Sequence, residues 1–266
     1  MSGGARDSGF GNRGWETSRA GSVEVNASTS RIPNPELRLT TDPQDELFDV
    51  LDADGRPTGV TKPRWQVHRD GDWHGALHIW VGGVGADGEP FALFQRRSLT
   101  KDTWAGYLDT AIGGHIRSGE TLDETVREAE EEIGLAVGLA DLTLIGRHFI
   151  TGSDGTVSER EVHTVYAVRC DQPLAEYRLH PEEVASLVSI PIDEVIALCA
   201  GERDQVSGME CTRDGDMSNV ILVAADFVGG LSLASPYPRL VLTALRDLLA
   251  GRQPEPFELR SIHIDE

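Results

Sequence analysis

Cysteine and long apolar runs are scarce in this chain. Its 266 residues include three cysteines, Cys170, Cys199 and Cys211, which are too few and too scattered for a disulfide framework or a zinc knuckle. No stretch approaches the roughly 18 consecutive apolar residues of a membrane span, and residues 1–30 lack the apolar core of a signal peptide. We therefore expect a soluble cytoplasmic protein that has no membrane partner.

Positive charge is scarce as well. The sequence carries 24 lysines and arginines against 44 aspartates and glutamates, which gives a formal net charge of -20. A nucleic acid duplex held by general electrostatic attraction is therefore disfavoured as a partner. An anionic small-molecule substrate needs a local cluster of cationic side chains, bound metal ions, or both.

The composition divides the chain into three parts. Residues 1–45 are rich in Gly, Ser, Arg, Asn and Thr and have almost no apolar periodicity, which is typical of a disordered arm. Residues 46–252 show regular apolar patterns and are expected to form one principal domain, with a polar loop, insertion or extension near 202–218. Residues 253–266 are expected to form a C-terminal tail.

Short apolar runs separated by turns predict β-strands in the first half of the domain. The predicted strands are 47–51, 77–81, 91–95, 106–112, 142–150 and 162–168, and the predicted helices are 121–133, 192–200 and 240–250. Strands that alternate with a few helices indicate an α/β or α+β sandwich, in which a mixed β-sheet is flanked by helices.

The predicted helix 121–133 has one apolar face and one acidic face. At about 100° per residue, its apolar side chains form a narrow stripe that must be buried. Glu128, Glu131 and Glu132 lie together on another face of the helix, away from that stripe.

The acidic face of this helix is electrostatically unfavourable by itself. Carboxylates at positions i, i+3 and i+4 repel one another, and the helix dipole disfavours negative charge near the C-terminal end. The pattern therefore indicates bound cations, and oxygen ligands on a rigid helix suit Mg²⁺ or Mn²⁺, which bind and polarise phosphates. The alternative is a solvated acidic face, which is the commoner role of an isolated run of glutamates.

A glycine-rich turn from Gly113 to Glu120 leads into this helix and lets backbone groups approach a metal or a phosphate closely. From Gly114 to Leu135 the sequence resembles the Nudix box, G-x5-E-x7-R-E-U-x-E-E-x-G-U, where U is an aliphatic residue. One departure is that six residues rather than seven separate Glu120 from Arg127. The resemblance implies the Nudix fold, and the shortening leaves the mutual geometry of the helix carboxylates unchanged.

The resemblance also implies a set of metal ligands. In the Nudix pattern, Glu128, Glu131 and Glu132 bind the catalytic Mg²⁺ or Mn²⁺ ions, and the Gly114 carbonyl completes a site. Arg127 is implied to orient the carboxylates by ion pairing. Glu132 and Arg127 are therefore also expected to act in catalysis.

A wider resemblance, over residues 46–200, is to the branch of the superfamily that includes type I isopentenyl-diphosphate isomerases and their hydrolase relatives. It is carried by Phe48-Asp49-Val50, Val67-His68-Arg69-Asp70-Gly71, Trp73-His74, His78 and Arg96-Arg97-Ser98-Leu99-Thr100-Lys101. In that branch the second arginine and the lysine of R-R-x-x-x-K contact the diphosphate, which implies that Arg97 and Lys101 bind substrate here. The alternative is an exposed basic turn after a strand.

The isomerases of this branch also bind a metal through histidines and an E-x-E strand pair. His115 and Glu159-Arg160-Glu161 are partial counterparts of those ligands. His68 and His74 are weaker candidates, because their spacing is one residue shorter than in the isomerases and histidines in strands are more often structural.

Gly113 favours hydrolysis over isomerisation. The isomerases carry at this position a cysteine that handles proton transfer at carbon, which glycine cannot do. They also lack the full set of helix carboxylates. We therefore expect a pyrophosphohydrolase in which metal-activated water attacks the diphosphate of a nucleoside diphosphate derivative. Glu161 is the expected general base, with Glu159 and Glu120 as alternatives.

Two other functions stay open. One is an enzyme that acts like the isopentenyl-diphosphate isomerases. The other is a catalytically silent Nudix domain that binds a nucleotide or a partner, although a pure binder has no need to sustain the repulsion between the helix carboxylates. The sequence determines neither the leaving group nor the oligomeric state. A homodimer is possible as the commonest symmetric assembly.

Overall fold

A computed structural model of the chain describes residue 1 and residues 42–101, 103–153, 158–229 and 235–262. The chain divides into two units, Met1–Leu37 and Arg38–Glu266, and all the elements described below belong to the second unit. The predicted disordered arm, residues 1–45, therefore lies largely outside the described residues.

The described residues form twelve strands and five α-helices. The strands are β1 (Leu47–Leu51), β2 (Pro57–Pro63), β3 (His74–Val84), β4 (Pro90–Arg97), β5 (Leu108–Thr110), β6 (Ile112–His115), β7 (Thr143–Ser153), β8 (Ser158–Arg169), β9 (Val184–Pro191), β10 (Val206–Thr212), β11 (Met217–Leu222) and β12 (Phe257–Ile262). The helices are α1 (Arg64–Asp70), α2 (Leu122–Thr125), α3 (Glu128–Ile133), α4 (Ile192–Cys199) and α5 (Tyr237–Leu249). None of these described helices combines the length and the hydropathy that a bilayer crossing requires.

Ten of the strands form one mixed sheet, and β1 and β2 pair separately. The main path of the sheet runs β11-β10-β9-β4-β3-β8-β7-β12, with β5 paired to β4 and β6 paired to β3. β3 pairs parallel with β8, and β12 pairs parallel with β7, whereas the other neighbours are antiparallel. This arrangement confirms the expected mixed sheet flanked by helices.

The sheet buries apolar side chains on both faces, because successive residues of a strand point to opposite sides. Along β3, Leu77 and Ile79 belong to one core, which also contains residues of α2 and α3 and the turn between them. Trp80 belongs to a second core with residues of α4 and α5. A one-residue shift of β3 would exchange these side chains between the two cores, so burial fixes the strand register that positions the site.

Two segments that were predicted to be irregular are strands. Residues 206–212 and 217–222, in the predicted loop or insertion near 202–218, form the β10–β11 hairpin, and β10 pairs with β9. Residues 257–262, in the predicted tail over 253–266, form β12 against β7. Within 202–218, a loop is therefore confined to the residues before β10 and to the turn between β10 and β11, and both segments form strands because pairing with another strand stabilises residues that have no clear apolar alternation of their own.

Candidate active site

The predicted helix 121–133 is two short helices, α2 and α3, separated by a tight turn. Thr121 caps α2: its hydroxyl accepts from the Glu124 N–H, and the Glu124 carboxylate accepts from the Thr121 N–H. Arg127 interrupts the helical ladder because both its N–H and its guanidinium donate to the Glu124 carbonyl. Gly134 ends α3 with a φ of 72°, which glycine adopts without strain. The prediction of one continuous helix is therefore wrong at its middle.

The three helix carboxylates differ in exposure. Glu132 is buried, and its Oε2 accepts hydrogen bonds from Gln95 Nε2 at 3.1 Å and from the Gly113 N–H at 3.3 Å. Burial raises the pKa of Glu132 well above its usual value, and burial raises the pKa of Glu128 to about 7. Glu131 is exposed. Two of the three carboxylates thus carry an electrostatic cost that a bound cation would relieve.

Gly114 lies directly against the Glu128 side chain. A Cβ atom at Gly114 would stand 2.7 Å from Glu128 Cγ, a distance at which one of the two groups must move. Gly113 has more room, since a Cβ atom there would meet His78 and Thr110 no closer than 3.6 Å. The packing of Glu128 therefore requires glycine at position 114 and not at position 113.

Arg127 pairs with three carboxylates. Its guanidinium contacts Glu120, and it lies 2.9 Å from Glu128 and 3.4 Å from Glu131. Glu120 also accepts a hydrogen bond from the Arg117 N–H at 3.0 Å. The shortened spacing between Glu120 and Arg127 thus leaves the two in contact, and Glu120 orients Arg127 in this arrangement.

Three histidines and a glutamate form a second donor group. His68, His74, His115 and Glu161 each bring one ligand atom within 4.8 Å of the others. The strand register explains the grouping: His74 pairs with Glu161 across β3 and β8, and Ala76 pairs with His115 across β3 and β6. His68 and His74, the weaker candidates for metal ligands in the sequence, thus lie beside His115 and Glu161. In the described part of the chain, the three helix carboxylates form no equally compact donor set.

Burial favours the neutral forms of His68 and His115. It lowers the pKa of His68 to about 4 and that of His115 to about 3, and nearby positive charge lowers both further. One neutral tautomer of His115 satisfies both of its contacts, with Arg64 donating to Nδ1 at 3.2 Å and Nε2 donating to Glu161 at 3.0 Å. Among the described residues, the buried Nε2 atom of His68 has no hydrogen-bond partner, and His74 Nε2 lies 3.5 Å from Glu161 Oε1. Neutral imidazoles beside a carboxylate fit a divalent cation.

Glu161 is engaged through both oxygens. Its Oε1 accepts from His115, and its Oε2 accepts from His163 Nε2 at 2.5 Å. Burial opposes the charge of Glu161, but the hydrogen bonds from His115 and His163 outweigh burial and hold the pKa well below its usual range. Glu161 is therefore a candidate metal ligand as well as the expected base. The side chain of Glu159, one alternative base, lies outside what the structure describes.

Both donor groups line one cavity of about 830 Å³. Its acidic and imidazole lining includes Glu128, Glu131, Glu132, His68, His115 and Glu161. Its cationic side chains include Arg64, Arg97 and Lys101, and its apolar and aromatic lining includes Trp80, Phe94, Leu108, Phe227 and Tyr237. A region of charged and imidazole side chains and an apolar region thus meet in one cavity, which suits a phosphorylated organic molecule.

Arg97 and Lys101 line the cavity and are paired with acidic side chains. Lys101 Nζ lies 2.5 Å from Asp42 Oδ1 and 2.6 Å from Glu183 Oε2. Arg97 Nη1 lies 3.3 Å from Asp109 Oδ2. A substrate phosphate would therefore compete with Asp42 and Glu183 for Lys101. Neither acidic residue was predicted from the sequence to belong to the site.

The aromatic end of the cavity was not foreseen from the sequence. The Tyr237 hydroxyl lies 3.0 Å from His78 Nδ1 and accepts from Trp80 Nε1 at 3.3 Å, and the Tyr237 ring stacks on His148 at 4.1 Å. Trp104 also lines the cavity and has a φ of 50°, which is unusual for a residue other than glycine. These side chains come from separate elements, so no local spacing connects them.

Comparisons with known proteins indicate the family of the chain. The family model for the NUDIX domain matches residues 77–207. An uncharacterized Nudix hydrolase of Clostridium acetobutylicum is 32% identical over 212 residues, which cover 77% of this chain and 98% of that protein. An isopentenyl-diphosphate Delta-isomerase of Salmonella heidelberg is 34% identical over 145 residues, which cover 53% of this chain and 74% of that protein.

Two further comparisons have less weight. Nudix hydrolase 3 of Arabidopsis thaliana is 37% identical over 156 residues, which are 56% of this chain but 20% of that longer protein. The crystal structure of DR0079 from Deinococcus radiodurans superposes with a TM-score of 0.43 at 20% identity and covers 59% of this chain and 90% of that one. A TM-score below 0.5 carries no argument about function, so the family assignment rests on the sequence matches.

Proposed function

The chain belongs to the Nudix superfamily, in the branch related to isopentenyl-diphosphate isomerases, and we propose that it hydrolyses a diphosphate linkage in a nucleoside diphosphate derivative. The supporting observation is the pair Glu128 and Glu132, whose carboxylates are desolvated in a cavity that also contains Arg97 and Lys101. Desolvated carboxylates are stabilised by divalent cations, and guanidinium and ammonium groups bind phosphate oxygens.

The proposed cations are Mg²⁺ or Mn²⁺ ions held by Glu128, Glu131 and Glu132, with the Gly114 carbonyl as a further ligand. The carboxylate set suits these hard cations, whereas the histidine and glutamate group also suits softer divalent metals. A bound divalent cation supplies Lewis acidity, which neutralises phosphate charge and lowers the pKa of water.

The side chains of the chain itself bind the phosphate, orient the carboxylates and accept the proton of the attacking water. Arg97 and Lys101 hold the phosphate oxygens and stabilise the charge that develops on the leaving phosphate. Arg127 orients Glu128 and Glu131 through its ion pairs. Glu161 takes the proton from the attacking water as the oxygen of that water bonds to phosphorus and the bridging phosphorus–oxygen bond breaks.

Glu132→Gln tests the proposed metal site, and Glu130→Gln is its matched control because Glu130 is an exposed glutamate of the same helix. A panel of nucleoside di- and triphosphates, dinucleotides and nucleotide sugars, assayed with Mg²⁺ and with Mn²⁺, first identifies a substrate. We expect Glu132→Gln to lower kcat by about 100-fold or more, because a metal ligand is lost, and Glu130→Gln to leave it nearly unchanged. Near-normal turnover by Glu132→Gln would mean that Glu132 is not a ligand of the catalytic metal.

A second candidate function is isomerisation of isopentenyl diphosphate. The compact group of His68, His74, His115 and Glu161 favours it, as does the likeness to the Salmonella isomerase. Gly113 opposes it, because glycine has no side chain for proton transfer at carbon. Incubation with isopentenyl diphosphate, followed by NMR, separates the two functions: the isomerised diphosphate indicates an isomerase, and released phosphate indicates a hydrolase.

A further inference from the structure

Gln95 is a fully buried polar side chain of β4 that reaches the helix carboxylates. It is 3% exposed, and its Nε2 donates to Glu132 Oε2 at 3.1 Å. The backbone of β4 at Gln95 is paired on both sides, with Leu187 of β9 and with Asp109 of β5. Pairing on both sides restricts the backbone, so the position of the Gln95 amide relative to Glu132 is well defined.

The hydrogen bonds to Glu132 come from uncharged donors. In the described part of the chain, its carboxylate accepts from the Gln95 amide and from the Gly113 N–H. The nearby cations are paired elsewhere: Lys101 contacts Asp42 and Glu183, and Arg127 contacts Glu120, Glu128 and Glu131. A neutral donor orients a carboxylate without cancelling its charge, whereas an arginine or lysine at position 95 would compete with a metal ion.

We propose that Gln95 is a positioning residue for the metal-binding carboxylate Glu132. It holds Oε2 by a neutral hydrogen bond and so fixes the orientation in which the carboxylate presents its charge and its other oxygen to the cation. The inference rests on the proposed function, because it takes Glu132 to be a metal ligand. Gln95 itself touches neither the metal nor the substrate in this assignment.

The test is direct titration of the full chain with Mn²⁺ alone, by isothermal calorimetry, in the absence of substrate. We expect Gln95→Leu, which removes the amide at similar volume, to weaken Mn²⁺ binding by about 10- to 100-fold. Ser186→Ala is the matched control: Ser186 is equally buried and donates to the Glu210 carboxylate at 2.5 Å, away from the proposed metal ligands. The control should bind Mn²⁺ within about twofold of the parent chain, and circular dichroism checks that each variant is folded.

A double-mutant cycle separates positioning from a general structural effect. If Gln95 acts through Glu132, Gln95→Leu should cause no further loss of Mn²⁺ affinity in a chain that already carries Glu132→Gln. An equal loss in both backgrounds, or Mn²⁺ affinity of Gln95→Leu within about twofold of the parent chain, overturns the inference. Gln95→Met replaces Gln95→Leu in the same cycle if the leucine variant does not fold.

The cycle also distinguishes failure of this inference from failure of the proposed function. If Glu132→Gln alone leaves Mn²⁺ affinity unchanged, Glu132 is not a ligand and both proposals fall. If Glu132→Gln weakens binding and Gln95→Leu does not, the metal site stands and only the role of Gln95 is rejected.

Discussion

Glu132 is buried and Glu161 is half-buried in the same cavity, yet their pKa values shift in opposite directions. Burial raises the pKa of Glu132, whose hydrogen-bond donors are neutral. Burial acts on Glu161 as well, but hydrogen bonds from His115 and His163 overcome it and lower the pKa. Glu161 is thus stabilised as an anion by the protein, whereas the neutral donors around Glu132 do not offset the cost of burying its charge.

Gly114→Ala should displace Glu128, because the new Cβ atom would stand 2.7 Å from Glu128 Cγ. We expect weaker Mn²⁺ binding and a fall in kcat of about tenfold or more, with the fold retained. Gly113→Ala is the control, since a Cβ atom there has its nearest neighbours at 3.6 Å. Calorimetry measures the Mn²⁺ affinity of both variants, and steady-state kinetics measures their kcat. If the two variants have equal affinity and equal kcat, the contact with Glu128 is not the reason for glycine at position 114.

Asp42→Asn should strengthen binding of an anionic substrate, because Asp42 lies 2.5 Å from the Lys101 ammonium that is proposed to bind phosphate. We expect KM to fall by about three- to tenfold with kcat little changed, since only a negative charge that competes with the substrate for Lys101 is removed. Asp45→Asn, at an exposed aspartate three residues on, is the control. A rise in KM would mean that Asp42 places Lys101 for the substrate.

Among the elements, α3 and β12 both depend on contacts with residues that are distant in sequence. The six residues of α3 are too few for a helix that is stable by itself, and the helix is held by Ala129 and Ile133 in the core against the sheet. β12 pairs with β7 along its whole length, and Ser261 lies 2.9 Å from His148, which lines the cavity. The C-terminal segment therefore supports both the sheet and the aromatic end of the site.

A chain that ends at Pro256 lacks β12 and should be less stable than one that ends at Ile262. Phe257 and Leu259 pack against the core, and their loss, together with the pairing to β7, should cost about 2 kcal/mol or more. Urea unfolding of the two truncated chains measures the difference. Equal midpoints would mean that β12 contributes no measurable stability.

For the whole molecule, we expect the helix carboxylates Glu128 and Glu132 to make stability depend on pH and on metal together. The Glu128 pKa is about 7 in the folded chain against 4.5 as its ordinary value, so the folded state keeps a proton that the unfolded state releases. Stability without metal should therefore fall as pH rises from about 4.5 to about 7, by about 3 kcal/mol for Glu128. Divalent cations bind the ionised form, and the stabilisation that they give should grow over the same range.

Thermal unfolding at a fixed Mn²⁺ concentration tests this coupling. The rise in Tm caused by Mn²⁺ should be larger at about pH 8 than at about pH 6, and Glu128→Gln should reduce the difference. A rise in Tm that is the same at both pH values would mean that metal binding does not depend on the ionisation of these carboxylates.

Local spacing was enough to predict which carboxylates of α3 lie together beside Gly114. Gly114, Glu128 and Glu132 belong to one strand–turn–helix segment, so their relation follows from backbone geometry over a few turns. The same holds for the mixed sheet flanked by helices, since the apolar patterns of its strands and helices are local. The break at Arg127 was not foreseen, because it comes from a side chain that bonds the Glu124 carbonyl.

The folded chain alone brought together His68, His74, His115 and Glu161, and it alone placed Gln95 against Glu132. These contacts depend on parallel pairing of β3 with β8 and on packing of α3 over the sheet. Strand pairing joins residues that are far apart in sequence, and its register is set by burial of both faces of the sheet at once. For that reason no single segment of the chain determines these contacts.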